Sequence, residues 1–296
     1  MKNMTKGERA FNIANNIVMF ILLCIMLYPI LNQLSVSLSS NTAVISGQVT
    51  LFPKGFNINA YKEIIADINF VTSMKNTIFF TIINTLASMF FTAIFAYPLS
   101  KRHLKGKNVI MSLIIFSMLF GTGGLIPNYL LIRSLKLTNT YLALILPGAI
   151  NIWNVVILKN FYQQIPASIE ESAYIDGSSP INTFVKIVLP LSVPSLAALT
   201  MFVAIASWNT FFQALIYISD PAKKLLQVYL NDIIQANIGV SPDAAMLKAM
   251  GQQQENVNAE NLKAAVLICT IVPIIIIYPF VQKYFMSGLM VGSVKG

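Results

Sequence analysis

The sequence predicts an all-α, polytopic membrane protein with six membrane-spanning helices. Three observations point there. Of 296 residues, 56% are hydrophobic and only 10% charged, whereas a soluble domain carries about 25% charged residues. Six apolar runs have about the 20-residue length that crosses a bilayer as a helix. Charges gather in the segments between the runs rather than inside them.

The first run, 13–35, follows a short basic segment (1–12). A secretory leader has a similar start, but this apolar stretch continues to Leu34 with no small-residue cleavage site, so an uncleaved anchor is expected. Segment 36–73 contains Gly47, Pro53 and Gly55, then an amphipathic piece from Tyr61 to Ile68, expected as a short helix lying on the membrane surface. The second run, 74–99, is expected to end at Pro98, just before Lys101-Arg102-His103-Leu104-Lys105-Gly106-Lys107. The third, 108–126, closes in Gly121-Thr122-Gly123-Gly124. That glycine cluster lacks the Gly-Lys-Ser/Thr of a phosphate loop, so it reads as a helix break before an interfacial stretch at 127–137. Runs 140–161 and 192–217 flank a polar segment at 166–190. A longer polar loop, 218–263, carries Asp220-Pro221, Ser241-Pro242, Gln252-Gln253-Gln254 and an amphipathic piece from Leu225 to Ile234. Contact with a solute-carrying partner and plain solvation both fit it. The last run, 264–284, completes a core domain of 74–285 and leaves a tail at 286–296.

Charge sets the expected orientation. The formal net charge is +9. With the N-terminus inside, the inner segments hold 11 of the 20 basic residues and four of the 11 acidic ones, in fewer residues than the outer segments. Short loops rich in Lys and Arg face the cytoplasm, so the turn at 101–107 is an inner marker and both termini are cytoplasmic. The basic excess lies in membrane flanks, so lipid is the expected surrounding and nucleic acid is not a partner. Cys24 and Cys269 fall within apolar runs and offer neither a disulfide framework nor a metal spacing.

Segment 166–190 carries the most local information. Ser168 and Glu171 have capping-box spacing, and Glu170 and Glu171 suit the positive end of a helix dipole. That helix should run to about Asp176 and end at Gly177, which supplies a left-handed residue. Ser179-Pro180 should open a second helix, ended by Pro190. The spacing predicts a bent helical hairpin on the cytoplasmic side.

Glu171-Ser172-Ala173, three residues, Gly177, nine residues, then Ile187-Val188-Leu189-Pro190 resembles the EAA motif of membrane subunits in binding-protein-dependent ABC importers. Ser172 stands where the pattern has Ala. Ser207-Trp208-Asn209, the stretch Gln282-Lys283-Tyr284-Phe285 and the ending Gly292-Ser293-Val294-Lys295-Gly296 are similar to carbohydrate permeases of the maltose-type shorter class. Gly123-Gly124-Leu125-Ile126-Pro127 resembles a subgroup for complex oligosaccharides and polysaccharide fragments. The resemblance implies a type I importer permease fold and a coupling role for Ile169, Glu170, Glu171, Ser172, Ala173, Ile175, Asp176, Gly177 and Pro190, with Ile169, Ala173 and Ile175 as the buried contact with an ATPase. It also implies a tail lying along the ATPase pair. The implied partners are a second permease subunit, two cytoplasmic ATPase subunits, an extracellular or periplasmic solute-binding protein and a saccharide. No cofactor is expected on this chain, since it has no Walker A sequence; ATP and Mg belong to the ATPase subunits. No catalytic or metal residues are expected, and the chain is not expected to be an enzyme.

Away from their ends the runs lack Asp, Glu, Lys, Arg and His, the residues that mark ion and proton pathways. This argues against a gradient-driven carrier. Neutral polar residues are present instead, among them Asn84, Thr85, Ser88, Asn151, Asn154, Ser207, Asn209, Thr210 and Gln213, with Tyr129, Tyr141, Trp153 and Trp208 nearby. Interhelical polar packing and a sugar pathway both fit most of these. Asn154, Trp208, Asn209 and Gln213 are the candidates for the pathway, the last two expected on one helix face. A permease for peptides or amino acids and a non-transporting scaffold remain alternatives.

Overall fold

The computed structural model describes residues 6–120, 123–238 and 258–293, and these contain helices and no strand. The chain divides into two compact units. One comprises residues up to Val71 together with Leu230–Pro273, the other Thr72–Tyr229 together with the segment from Ile274 onward.

In the first unit, α1 spans Lys6–Ser37 and carries Pro29 in its interior. It is apolar all round, and none of its most apolar stretch is buried, as befits a helix whose solvent is lipid. Ser35, Ser37 and Ser39 close its end. Ser35 Oγ donates to Leu51 O at 2.6 Å, and Ser37 Oγ lies 2.7 Å from Tyr61 Oη. Short helices α2 (Asn41–Ile45) and α3 (Asn59–Ala66) follow. The surface helix expected at 61–68 thus starts and ends two residues early, because Asp67 leaves helical geometry (ψ 113°) and Ile68 opens the next helix. Burial pushes the Tyr61 phenol up from its ordinary value.

Helix α4 runs Ile68–Ser100 and includes Pro98. The expected stop at Pro98 does not occur. A proline this near a helix end removes a single donor, and Lys101 N–H still reaches Pro98 O at 3.1 Å. Next come α5 (Lys107–Phe120) and α6 (Leu125–Ser134), the latter entered through two left-handed glycines, Gly123 (φ 75°) and Gly124 (φ 86°). The stretch expected at 127–137 as an interfacial piece is mostly this helix. Helices α7 (Leu142–Gly148) and α8 (Ile152–Tyr162) meet at a 47° bend. Then follow α9 (Ala167–Ile175), α10 (Pro180–Thr183), a π turn at Phe184–Val188, α11 (Leu189–Leu191), α12 (Val193–Trp208) and α13 (Phe212–Tyr217). A 3₁₀ turn at Pro221–Lys223 and α14 (Leu226–Ile238) lie in the segment read as a long polar loop. Ser241-Pro242 and the glutamine run fall outside the described residues. The last helix, α15, spans Ala259–Ser293 and so extends past the expected end at 284.

Three helices (α1, α4 and α15) are long and apolar enough to cross a membrane singly. Three bent pairs bring the number of candidate spans to six among the described residues. The second unit packs as two apolar clusters strung along α4. Phe80 joins Ile132, Leu144, Tyr217 and Val228 toward its start, and Met89, Ala96 and Leu99 join Val155, Leu158, Phe184 and Val203 toward its end. The polar residues of α4 lie at and between these clusters.

Candidate functional site: a bent hairpin and an amide-lined cavity

The hairpin at 166–190 forms, but it starts differently from the expectation. Pro166 is the N-cap (ψ 129°) and Ala167 already helical, so Ser168 lies inside α9 and caps nothing. Pro166 is the last extended residue before the helix, and its O accepts from Ile169 N–H at 3.1 Å. The end forms as expected. Gly177 takes φ 80°, its N–H donates to Tyr174 O at 3.1 Å, and Ser178 N–H donates to Ala173 O at 2.9 Å. This is the paired bonding of a Schellman stop. Ser179 then caps α10, with its Oγ accepting from Asn182 N–H at 3.3 Å and Pro180 at the first position.

Pro190 does not end the second helix. The chain passes through the π turn, in which Leu189 N–H bonds to Phe184 O, and continues to Leu191. A proline cannot donate to the carbonyl four residues back and its ring crowds that carbonyl. A wider turn just before it relieves both problems. The break falls at Ser192, whose Oγ donates to Val188 O at 2.7 Å, and the chain then bends by 79° into α12.

The two faces of α9 differ in environment. Ile175 is 87% exposed, and Ile169, Glu171, Ser172, Asp176 and Gly177 are also exposed. Ala173, grouped with Ile169 and Ile175 on an outward contact by resemblance, is buried in its own chain. Glu170 turns inward too. Its Oε2 forms an ion pair with Lys101 and accepts from Tyr97 Oη at 3.2 Å. Because Lys101 belongs to the basic turn, hairpin and basic turn share one end of the second unit.

A cavity of about 880 Å³ lies within the second unit, inside the range of about 300–1,000 Å³ typical of small-molecule sites. Helix breaks supply much of its polar lining. At the α7–α8 bend, Asn151 caps α8 by accepting from Asn154 N–H at 3.1 Å, and both asparagines line the cavity. Between α12 and α13, Asn209 Nδ2 donates to Ile205 O (2.9 Å) and Thr210 Oγ1 to Ala206 O (3.2 Å). Such back-bonding offers the backbone an alternative to continued helix. Asn209 and Gln213 therefore face the cavity from opposite sides of a break, and not along one helix face. On α4, Asn84 Nδ2 donates to Ser207 Oγ at 2.7 Å, while Asn84 Oδ1 is buried without a partner.

Three of the four expected pathway residues (Asn154, Asn209 and Gln213) line this cavity. Trp208 does not; it is buried beside the break. Asn128 and Tyr217 also line it. Sequence reasoning missed both, because neither lies in the middle of an apolar run. The lining holds no charged side chain. It offers amides and hydroxyls, groups that pair with the hydroxyls of a polar solute. Among the described residues no cluster of His, Cys, Asp or Glu is arranged to hold a metal.

Residues 79–290 match the family described as binding-protein-dependent transport system inner membrane component. The chain is 42% identical over 293 residues to Protein LplC of Bacillus subtilis (strain 168), covering 99% of this chain and 97% of that one. It is 40% identical over 280 residues to the polygalacturonan/rhamnogalacturonan transport system permease protein YtcP of the same organism, covering 95% and 96%. Among solved structures, a chain of a bacterial ABC transporter involved in the import of the acidic polysaccharide alginate superposes with a TM-score of 0.87 at 34% identity, covering 96% of this chain and all of that one.

Proposed function

The chain belongs to the binding-protein-dependent transport system inner membrane components, and from that membership we propose that it is the permease half of an ATP-driven oligosaccharide importer. It works beside a second permease subunit, two ATPase subunits and a solute-binding protein. Its termini face the cytoplasm, and the hairpin takes up the closing motion of the ATPase pair. The single observation that carries the coupling role is the hairpin itself. An ordered, doubly capped bend presents Ile175 outward, at the end of the unit that holds the basic turn. An exposed isoleucine at the tip of a rigid polar element is matched to an apolar cleft on a partner.

The substrate reading rests on the cavity. Amides from α8, α12 and α13 point toward a space with no fixed charge, so binding there runs through hydroxyl-to-amide hydrogen bonds, each worth about 1 kcal/mol net. The names of the relatives, which include carriers of polygalacturonan, rhamnogalacturonan and alginate, support oligosaccharides as cargo. Uptake of labelled oligosaccharides by cells holding or lacking this gene is the test. Sugar uptake that disappears with the gene supports the reading; uptake of peptides and no sugar refutes it.

A further inference from the structure

The hairpin is joined by chain only to α8 and α12, yet two of its side chains and two flanking ones converge on Tyr97 of α4. Glu170 of α9 accepts from Tyr97 Oη at 3.2 Å. Lys101, paired to the same Glu170 oxygen, places Nζ 4.1 Å from the centre of the Tyr97 ring. Phe184, in the π turn, packs its ring 4.6 Å from that of Tyr97, and Tyr162, at the end of α8, stands edge-on at 6.2 Å. Both aromatic residues are buried, as is Glu170. The end of α8, the first helix of the hairpin and its π turn therefore all bear on one side chain of the second span.

We propose that Tyr97, Lys101 and Glu170 form a joint that hands the movement of the hairpin to α4, making Glu170 and Lys101 positioning residues of the coupling machinery. This rests on the coupling role proposed above. The joint divides the two adjacent glutamates. Glu171 faces outward, whereas Glu170 is committed to its own chain. A partly buried carboxylate held by both a cation and a phenol is costly to separate from them, so α9 and the end of α4 move together. From Tyr97 to Asn84 is 13 residues, or about 20 Å of helix at 1.5 Å per residue. The joint thus reaches the Asn84 and Ser88 side of the cavity along α4, a route separate from the covalent links through α8 and α12.

The test uses the complete importer, purified with its ATPase pair and second permease, in a Cys24→Ala, Cys269→Ala background. Reporter cysteines are introduced one at a time at Ser88→Cys on α4 and Asn154→Cys on α8. N-ethylmaleimide labelling is timed with and without Mg-ATP and vanadate. In the parent, nucleotide changes the rate at both positions by about fivefold or more, the lower range of coupling between distant sites. Adding Glu170→Gln, or Tyr97→Phe as the milder change that keeps the ring, abolishes the response at Ser88→Cys and leaves it at Asn154→Cys. The double exchange Lys101→Glu with Glu170→Lys restores it. An undiminished response at Ser88→Cys in both the Glu170→Gln and Tyr97→Phe backgrounds overturns the joint alone. No response at either reporter in the parent overturns the coupling role beneath it.

Discussion

Replacing Gly177 separates backbone strain from packing more cleanly than any other change in this chain. Gly177 sits at φ 80°, and a Cβ built there meets nothing within 4 Å. The cost of a side chain is therefore conformational. An L-residue held in left-handed geometry loses about 1–2 kcal/mol, and Asn tolerates it better than most. A β-branched residue is a stronger outlier there. Asn should cost least, Ala about 1–2 kcal/mol and Val more, since the Schellman bonds from Gly177 and Ser178 require this geometry. The order Asn, Ala, Val differs from the order of side-chain volume, in which Ala comes first. The assay is uptake per ATP hydrolysed by the reconstituted complex, alongside limited proteolysis of the 166–190 segment. Coupling should fall and cleavage rise along Gly177→Asn, Gly177→Ala, Gly177→Val. Equal behaviour of all three, or Asn worse than Val, refutes the strain argument.

Other changes have defined outcomes. Ser179→Ala removes a cap and should cost about 0.5–2 kcal/mol, seen as faster proteolysis of the hairpin, whereas Ser168→Ala, in a residue that caps nothing, should leave proteolysis unchanged. Asn209→Leu and Gln213→Leu each remove a cavity amide and should weaken apparent sugar affinity by about fivefold, the equivalent of one hydrogen bond near ~1 kcal/mol, measured by concentration-dependent uptake. Trp208→Phe, in a buried side chain outside the lining, should lower the thermal stability of the complex by about 0.5–3 kcal/mol and leave that affinity unchanged.

The six spans and the bend of the hairpin were legible because they rest on local rules. Long apolar runs specify membrane helices, and Gly177 followed by Ser179-Pro180 specifies a stop and a restart. What escaped depends on contacts far apart in sequence or on competition between local signals. Ser168 and Glu171 have the spacing of a capping box, but Pro166 starts the helix earlier, and nothing local announced that Glu170 would meet Lys101, 69 residues away. Asn209 and Gln213 are four apart, which reads as one helix face, while back-bonding at Asn209 and Thr210 accompanies a break between them. Pro190 reads as a terminator, yet a π turn absorbs its missing donor. Trp208, the last residue of α12, packs inward rather than toward the cavity.

Coupling requires the tip of the hairpin to meet the ATPase in the cytosol. A cysteine introduced as Ile175→Cys, in the background lacking Cys24 and Cys269, tests it directly in intact cells and in the purified complex. We expect cross-linking to the ATPase subunit by a short bifunctional thiol reagent, and protection from a membrane-impermeant thiol label added outside the cells. Labelling from outside, with no cross-link to the ATPase, would rule out that contact.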